Sequence, residues 1–317
     1  MILRPANLPE LPGLLARARE CGERISSFDL SAFNRVMEHK AEDMTATAEA
    51  GVSLADLQER LAERGQWLPV DPPRPERLSL GALLGGNESG PHRFGCGTVR
   101  DYLLGIKVVL ADGRIVSFGG KVVKNVAGYD LGKLFIGSRG SLGVIVEAVF
   151  KLCPRPEAEM FVEARFAALD EAGTAIEAVL NSGLAPAVLD LHKALPAAAQ
   201  FTVVLGFAGP REDVQWQLGC AADLGFRQAS SLQYEEEFWD GRSGSGEGEV
   251  VRKVAVLPSK LIGTVQSLGV PFVARAGNGI MYYRGPAAGQ KSERPLKLAQ
   301  RLKQTFDPLN VLPDAPV

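Results

Sequence analysis

Hydrophobic and polar positions along this chain change period several times, and each change marks an element. Leu8 to Glu20 carries apolar residues at helical spacing, and a β-rich run follows around Arg24 to Phe28. The stretch MTATAEAGVSLADLQERLAERG predicts a strand from Thr45 to Ala50, a turn at Gly51 and an N-cap at Ser53. It then predicts a helix from Leu54 to Arg64 that stops at Gly65. Pro69, Pro72, Pro73 and Pro75 hold the next segment extended, because the residue before a proline is driven out of the helical region. After the glycine-dense SLGALLGGNESGPHRFGCGTVRDY, Thr98 can cap a short helix into Tyr102. GIKVVLADGRIVSF then reads as a hairpin joined across Asp112-Gly113. KNVAGYD, Lys124 to Asp130, leads into a short apolar helix, three glycines spaced three apart, and a strand from Val144 to Leu152. Pro154 and Pro156 close that strand.

Beyond those prolines the order is EMFVEARF strand, LDEAGTAIEAVLNSG helix, AVLDLH and FTVVLGFAG strands, PREDVQWQLGCAADLG helix and FRQASSLQ strand. This βαββαβ order is that of the ferredoxin-like split unit. A linker, GRSGSGEGE, precedes VVRKVAVL strand, PSKLIGTVQSLG helix, and PFVARA and IMYYRG strands around Gly277-Asn278-Gly279. A last helix, Pro295 to Phe306, runs into the tail FDPLNVLPDAP. The expected class is α+β, its second part an antiparallel sheet with helices on one side.

Composition narrows the function. The chain has 317 residues, so two domains are expected, and 46% hydrophobic with 23% charged is ordinary soluble composition. A net charge of −2 gives no basic face for nucleic acid. Apolar runs such as GVIVEAVF are far short of an intrinsic membrane segment, and the amino terminus lacks the pattern of a secretory signal. A cytoplasmic protein is the expectation. Four separate cysteines and three scattered histidines write no metal or iron–sulfur site in this chain.

The glycines carry the remaining chemistry. Gly128 to Lys133 has the wrong spacing for a phosphate-loop lysine. Gly137, Gly140 and Gly143 stand after a helix and before a strand, the reverse of the dinucleotide fingerprint of a Rossmann fold. What is left is close approach: Gly85, Gly86 and Gly90, with the amides near Gly140 to Gly143, can bring bare main chain against a ligand's phosphate or carbonyl oxygens.

GALLGGNESGPHRFGCGTVRDYLLGIKVVLADGRIV and KNVAGYDLGKLFIGSRGSLGVIVEAVFKLCPRP together resemble the FAD-binding domain of the vanillyl-alcohol-oxidase type. Within that type they are most similar to the FAD-binding subunit of bacterial glycolate oxidase. The resemblance implies a two-part FAD-binding domain (PCMH type, first part shortened) over residues 1–156 and a ferredoxin-like antiparallel cap over 157–288. Residues 289–317 would form a helix and tail that return to the first domain. It implies FAD as cofactor, with Gly85, Gly86, Asn87, Ser89 and Gly90 along it. Gly95, Thr98 and Asp101 would also contact it, as would Lys124 and Asn125. Gly140, Ser141, Gly143, Val144 and Ile145 complete the cofactor set.

Two departures matter. The family's Gly-rich loop of the RGGGTS type is replaced by RISSFDLSAFNRVMEHKAEDM, with no glycine between Gly22 and Gly51. Hydroxyls of Ser26, Ser27 and Ser31 are candidate substitute donors, ordinary serine turns being the competing reading. The His-rich segment of relatives that oxidise 2-hydroxy acids is ARAGNGIMYYRG here, so no catalytic base is assigned. Arg275, Tyr282, Tyr283 and Arg284 are candidates for a substrate carboxylate, a structural charge on the strand being the competing reading for Arg275. Cys96 reads as a packed thiol against a covalent flavin tether, and His92 as a surface-loop residue against a cofactor neighbour. Lys121 and Lys124 read as solvated cations against phosphate partners. The acidic YEEEFWDG reads as a charged face, with Trp239 on it either packed or facing a partner.

The resemblance thus implies an FAD-binding oxidoreductase subunit passing electrons from a small 2-hydroxy acid such as glycolate. It would work beside a sister flavoprotein subunit and an iron–sulfur subunit, with any membrane association supplied through those partners. The alternative is a degenerate FAD domain kept as a non-catalytic structural subunit of such a complex.

Overall fold

The computed structural model describes residues 1–121, 130–193, 200–240, 249–286 and 297–314. The chain divides into two compact units. The first comprises 1–89, 98–155 and 291–317, and the second 90–97 and 156–290.

The first unit opens with β1 (Ile2–Leu3), α1 (Glu10–Glu20) and β2 (Ser27–Phe28), the two short strands pairing in parallel. Then come β3 (Val36–Lys40), β4 (Thr45–Glu49), α2 (Leu54–Ala62) and α3 (Leu80–Gly86). The unit is completed by β5 (Leu103–Val109), β6 (Ile115–Gly119), β7 (Val144–Lys151) and a terminal helix, Lys297–Phe306. Its five-stranded sheet runs β3-β4-β7-β5-β6, every pair antiparallel. Ser53 caps α2 as its position predicts, its hydroxyl accepting from the Asp56 amide. β3 escapes sequence reading because VMEHK has no apolar alternation; it is an edge strand with little to bury.

Both faces of this sheet are covered. Leu54, Leu57 and Leu61 of α2 and Leu80, Leu83 and Leu84 of α3 pack with Ala46, Ile106, Ala148 and Phe150. Leu11, Leu15 and Ala18 of α1 pack on the other side with Val109, Val144 and Val146. The pairing of β5 with β7 shifts register between Lys107↔Glu147 and Val108↔Ile145. That one-residue slip lets Ile145 and Ala148 share a core although their positions differ by an odd number.

The second unit contains β8 (Ala158–Phe166), α4 (Leu169–Leu180), β9 (Val188–Lys193), β10 (Phe201–Gly209), α5 (Arg211–Asp223) and β11 (Gln228–Ser230). These are followed by α6 (Gln233–Trp239), β12 (Glu249–Ala255), α7 (Leu261–Gln266), β13 (Phe272–Arg275) and β14 (Ile280–Pro286). The sheet order β11-β8-β10-β9-β13-β14-β12 begins with the ferredoxin-like arrangement and extends it by three strands, all antiparallel.

Helices on one side is corrected by α6. Leu189, Leu191, Val203, Leu205 and Phe272 face α4, α5 and α7, whereas Val204, Val273 and Tyr282 pack with Tyr234 and Phe238 of α6 on the opposite face. Alternation along each strand leaves both faces apolar, so the acidic-looking YEEEFW must turn Tyr234 and Phe238 inward to cover the second one. Trp239 joins this packing, its ring 5.2 Å from that of Tyr282.

Candidate functional site

Two glycine-bearing segments of the first unit meet by main-chain hydrogen bonds. The carbonyls of Leu84 and Gly85, at the end of α3, accept from the amides of Gly137 and Arg139, each at 2.9 Å. Ser79 starts α3 with its hydroxyl accepting from the Ala82 amide, and Asn87 ends it in the left-handed conformation at φ 49°. The start of the glycine-dense run is thus a short capped helix, to which the sequence pattern assigned no element; leucines at 80, 83 and 84 supply the buried stripe.

Between these segments and Ser26–Leu30 lies a cavity of about 310 Å³. That is the small end of ligand pockets, room for one part of an extended dinucleotide. Six expected cofactor residues line it: Gly85, Gly86, Gly140, Gly143, Val144 and Ile145. Its wall also includes Ser26, Ser27, Ser79 and Arg139; sequence reading had no place for the last two. Gly143 has a packing reason besides: a Cβ there would lie 2.6 Å from Val108 Cγ1 and 3.1 Å from the Val109 carbonyl oxygen.

The other expected cofactor residues separate. Asn87 is beside Gly137, and its Oδ1 is buried with no hydrogen-bond partner, an acceptor waiting for a donor. Ser89 and Ser141 are buried. Asp101 accepts from the Thr98 amide at 2.8 Å and the Thr98 hydroxyl at 3.1 Å, so this pair starts the Val99–Tyr102 helical turn. Gly90 and Gly95 fall in the second unit. The Gly95 amide donates to the Ala187 carbonyl at 2.9 Å, and a Cβ on Gly95 would come within 2.6 Å of Ala187 Cα. Lys124 and Asn125 lie outside the described residues. Lys121 is paired with Glu38. His92, expected on the surface, is buried with Nε2 2.5 Å from Glu159 Oε1. Cys96 is half-buried.

Arg275, Tyr282 and Arg284 share the α6 face of the second unit's sheet, whereas Tyr283, next to Tyr282 on β14, packs into the core on the opposite face. Arg275 is 1% exposed and its guanidinium already meets two carboxylates of the chain. Nη1 donates to Asp190 Oδ2 at 2.5 Å and Glu235 Oε1 at 2.6 Å, and Nη2 to Glu235 Oε2 at 2.8 Å. Tyr234 donates to Asp190 at 2.7 Å and stacks on His192 at 4.2 Å. Burial, with repulsion from Glu235 added, outweighs the attraction of Arg275 and pushes the Asp190 carboxyl up to about 7; burial pushes His192 down to about 3. Arg284 donates to the carbonyls of Phe238 and Trp239, tying down the end of α6. Tyr282 is buried under the Arg275 guanidinium, 5.7 Å from its ring centre. Among the described residues no group of His, Cys, Asp and Glu is arranged to hold a metal ion.

Residues 17–119 match the FAD binding domain family. The chain carries an FAD-binding domain. Its relatives include glycolate oxidase subunit GlcD of Bacillus subtilis, 33% identical over 57% of this chain and 42% of that protein. Another is glycolate oxidase subunit GlcE of Escherichia coli, 36% identical over 42% of this chain and 39% of that protein. The matched stretch thus spans about two fifths of those relatives. In fold the chain is similar to alkyldihydroxyacetonephosphate synthase, with a TM-score of 0.73 at 19% identity over 99% of this chain and 76% of that one. The expected α+β class of the vanillyl-alcohol-oxidase type agrees with this likeness.

The FAD-binding domain's residues fit such a cofactor. Glycine main chain walls the cavity, the Asn87 acceptor is unpaired, and Arg139 supplies positive charge. No helix among the described residues is long and apolar enough to cross a membrane.

Proposed function

We propose that this chain is the flavin-bearing subunit of a 2-hydroxy-acid oxidoreductase of the glycolate oxidase kind. The observation that carries the reading is the cavity walled by Gly85, Gly86, Gly140 and Gly143 within the unit that matches the FAD binding domain family. When bound, the flavin supplies electron acceptance from the substrate carbon. The chain's own residues bind and orient: the wall of α3 and the turn at residues 137–140 present main chain, and Asn87 presents one acceptor. Residues 1–89 and 98–155, with 291–317, are the cofactor domain, and 156–290, with 90–97, the substrate domain.

The chain's relation to two glycolate oxidase subunits supports a glycolate-like substrate and membership of a multi-subunit complex; in this proposal a sister flavoprotein subunit stands beside it and an iron–sulfur subunit receives the electrons. Such a complex works in the cytoplasm or at a membrane reached through its partners. The substrate base belongs to the sister subunit. ARAGNGIMYYRG has no histidine, and the Arg275 guanidinium is engaged by Asp190 and Glu235. The same observations favour a second reading, a structural subunit without turnover.

Visible absorption of the purified chain, before and after incubation with FAD, tests the cofactor role. Dye reduction with glycolate and with D-lactate, for the chain alone and for material co-purified from its native host, tests the reaction. Bound flavin that is reduced by glycolate only in the co-purified complex is expected. A colourless protein that takes up no added FAD overturns the reading and leaves the structural subunit.

A further inference from the structure

The segment facing the glycines has no glycine of its own between Gly22 and Gly51, yet it forms one wall of the cavity. Main chain without positive φ makes a poor anion nest, so a diphosphate there needs donors from elsewhere. The three serines of this segment are not equivalent. Ser31 is turned to the Asp29 carboxylate, and the Ser26 amide and hydroxyl both donate to the Met1 carbonyl, at 2.8 and 3.0 Å. Ser27 remains, exposed on the cavity wall, its hydroxyl without a partner among the described residues.

Across from it the chain turns through Arg139 at φ 49° and Gly140 at φ 80°. Arg139 is the one charged residue among the described residues that line the cavity, and the Glu88 carboxylate lies against the lining residue Gly86. Its side chain is exposed and, among the described residues, makes no ion pair or hydrogen bond, while its amide is fixed to the Gly85 carbonyl. Left-handed backbone is unfavourable for a residue with a Cβ, and the two glycines beside this turn show how easily the chain supplies one without. An arginine held there presents five donors in a planar fork, which suits the oxygens of a phosphate.

We propose that Arg139, with the Ser27 hydroxyl, is the diphosphate anchor of this chain, a side-chain cation standing where a glycine-rich nest is missing. The inference rests on the FAD reading of the same cavity and adds the group that recognises the phosphates. ADP shares that diphosphate and riboflavin lacks it, so the two ligands separate this contact from recognition of the ring.

The test measures dissociation constants of FAD, ADP and riboflavin for the purified chain and for Arg139→Gly, Arg139→Lys and Ser27→Ala, at low and high salt. Arg139→Gly should bind FAD and ADP about 10- to 100-fold more weakly, with a flatter salt dependence and unchanged riboflavin affinity. Arg139→Lys should recover part of the loss. Ser27→Ala should lose a few-fold. Because glycine relieves the left-handed strain, Arg139→Gly should melt no lower than the parent, so weakened binding cannot be misfolding. Unchanged FAD and ADP affinity in Arg139→Gly, beside a parent that binds FAD, overturns the anchor alone. A parent that binds neither FAD nor ADP overturns the cofactor reading and the anchor with it.

Discussion

Replacing Asp190 with asparagine tests how the buried cluster under α6 holds its charge. One guanidinium, Arg275, serves two carboxylates, and Asp190 is wholly enclosed with Oδ1 unpartnered. Two pulls oppose each other: Arg275 favours an ionised Asp190, while burial and Glu235 favour a proton on it, and the second pull wins. The sign follows from linkage. Asp190 titrates near 7 when folded and near 3.8 when exposed, so the native state binds the extra proton between those values. Its stabilising contribution is complete below the unfolded value and is lost as pH rises through the folded one. At about 1.4 kcal/mol per pH step, that loss is about 4 kcal/mol.

Asparagine mimics the protonated acid, and its carbonyl can still accept from Tyr234 and Arg275. Asp190→Asn should therefore match the parent below about pH 4, gain on it steadily between about pH 4 and pH 7, and hold an advantage of about 4 kcal/mol above pH 7. Urea unfolding at three pH values, followed by the fluorescence of Trp239 packed against Tyr282, measures the difference. If the ion pair instead dominates, the variant loses ground as pH rises. A variant whose stability runs parallel to the parent across the range refutes the argument.

Other expectations are simpler. Gly143→Ala should lower the melting temperature by the equivalent of about 1–3 kcal/mol, because its Cβ meets Val108 and the Val109 carbonyl inside a core rather than in the open cavity. Arg284→Met should cost about 1–3 kcal/mol and raise amide exchange at the end of α6, since the Phe238 and Trp239 carbonyls lose their donor. Alkylation of Cys153 should be slow near pH 7 and speed up only at alkaline pH, as burial pushes its thiol upward; mass spectrometry of the labelled site reads this.

The elements with a strong local signal were legible along the chain. Ser53 before an apolar stripe, Asp112-Gly113 between two β-rich runs, and the ferredoxin-like order after Pro156 all follow from caps, turns and periods that neighbouring residues decide. The glycine segments could be tied to a ligand for the same reason, since bare main chain is a property of the residue itself. What sequence could not decide were matters of distance in space. Whether a glycine meets a cavity or a neighbour's backbone depends on what packs opposite, and so Gly85 lines the cavity while Gly95 presses on Ala187. Whether an arginine is free depends likewise on its partners. Arg275, with the better claim on the page of letters, is closed off by Asp190 and Glu235, whereas Arg139, which drew no notice, stands uncommitted in the cavity wall. Local pattern is written in adjacent residues; partnership is fixed only when strands and turns far apart in the chain are brought within a few ångströms of each other.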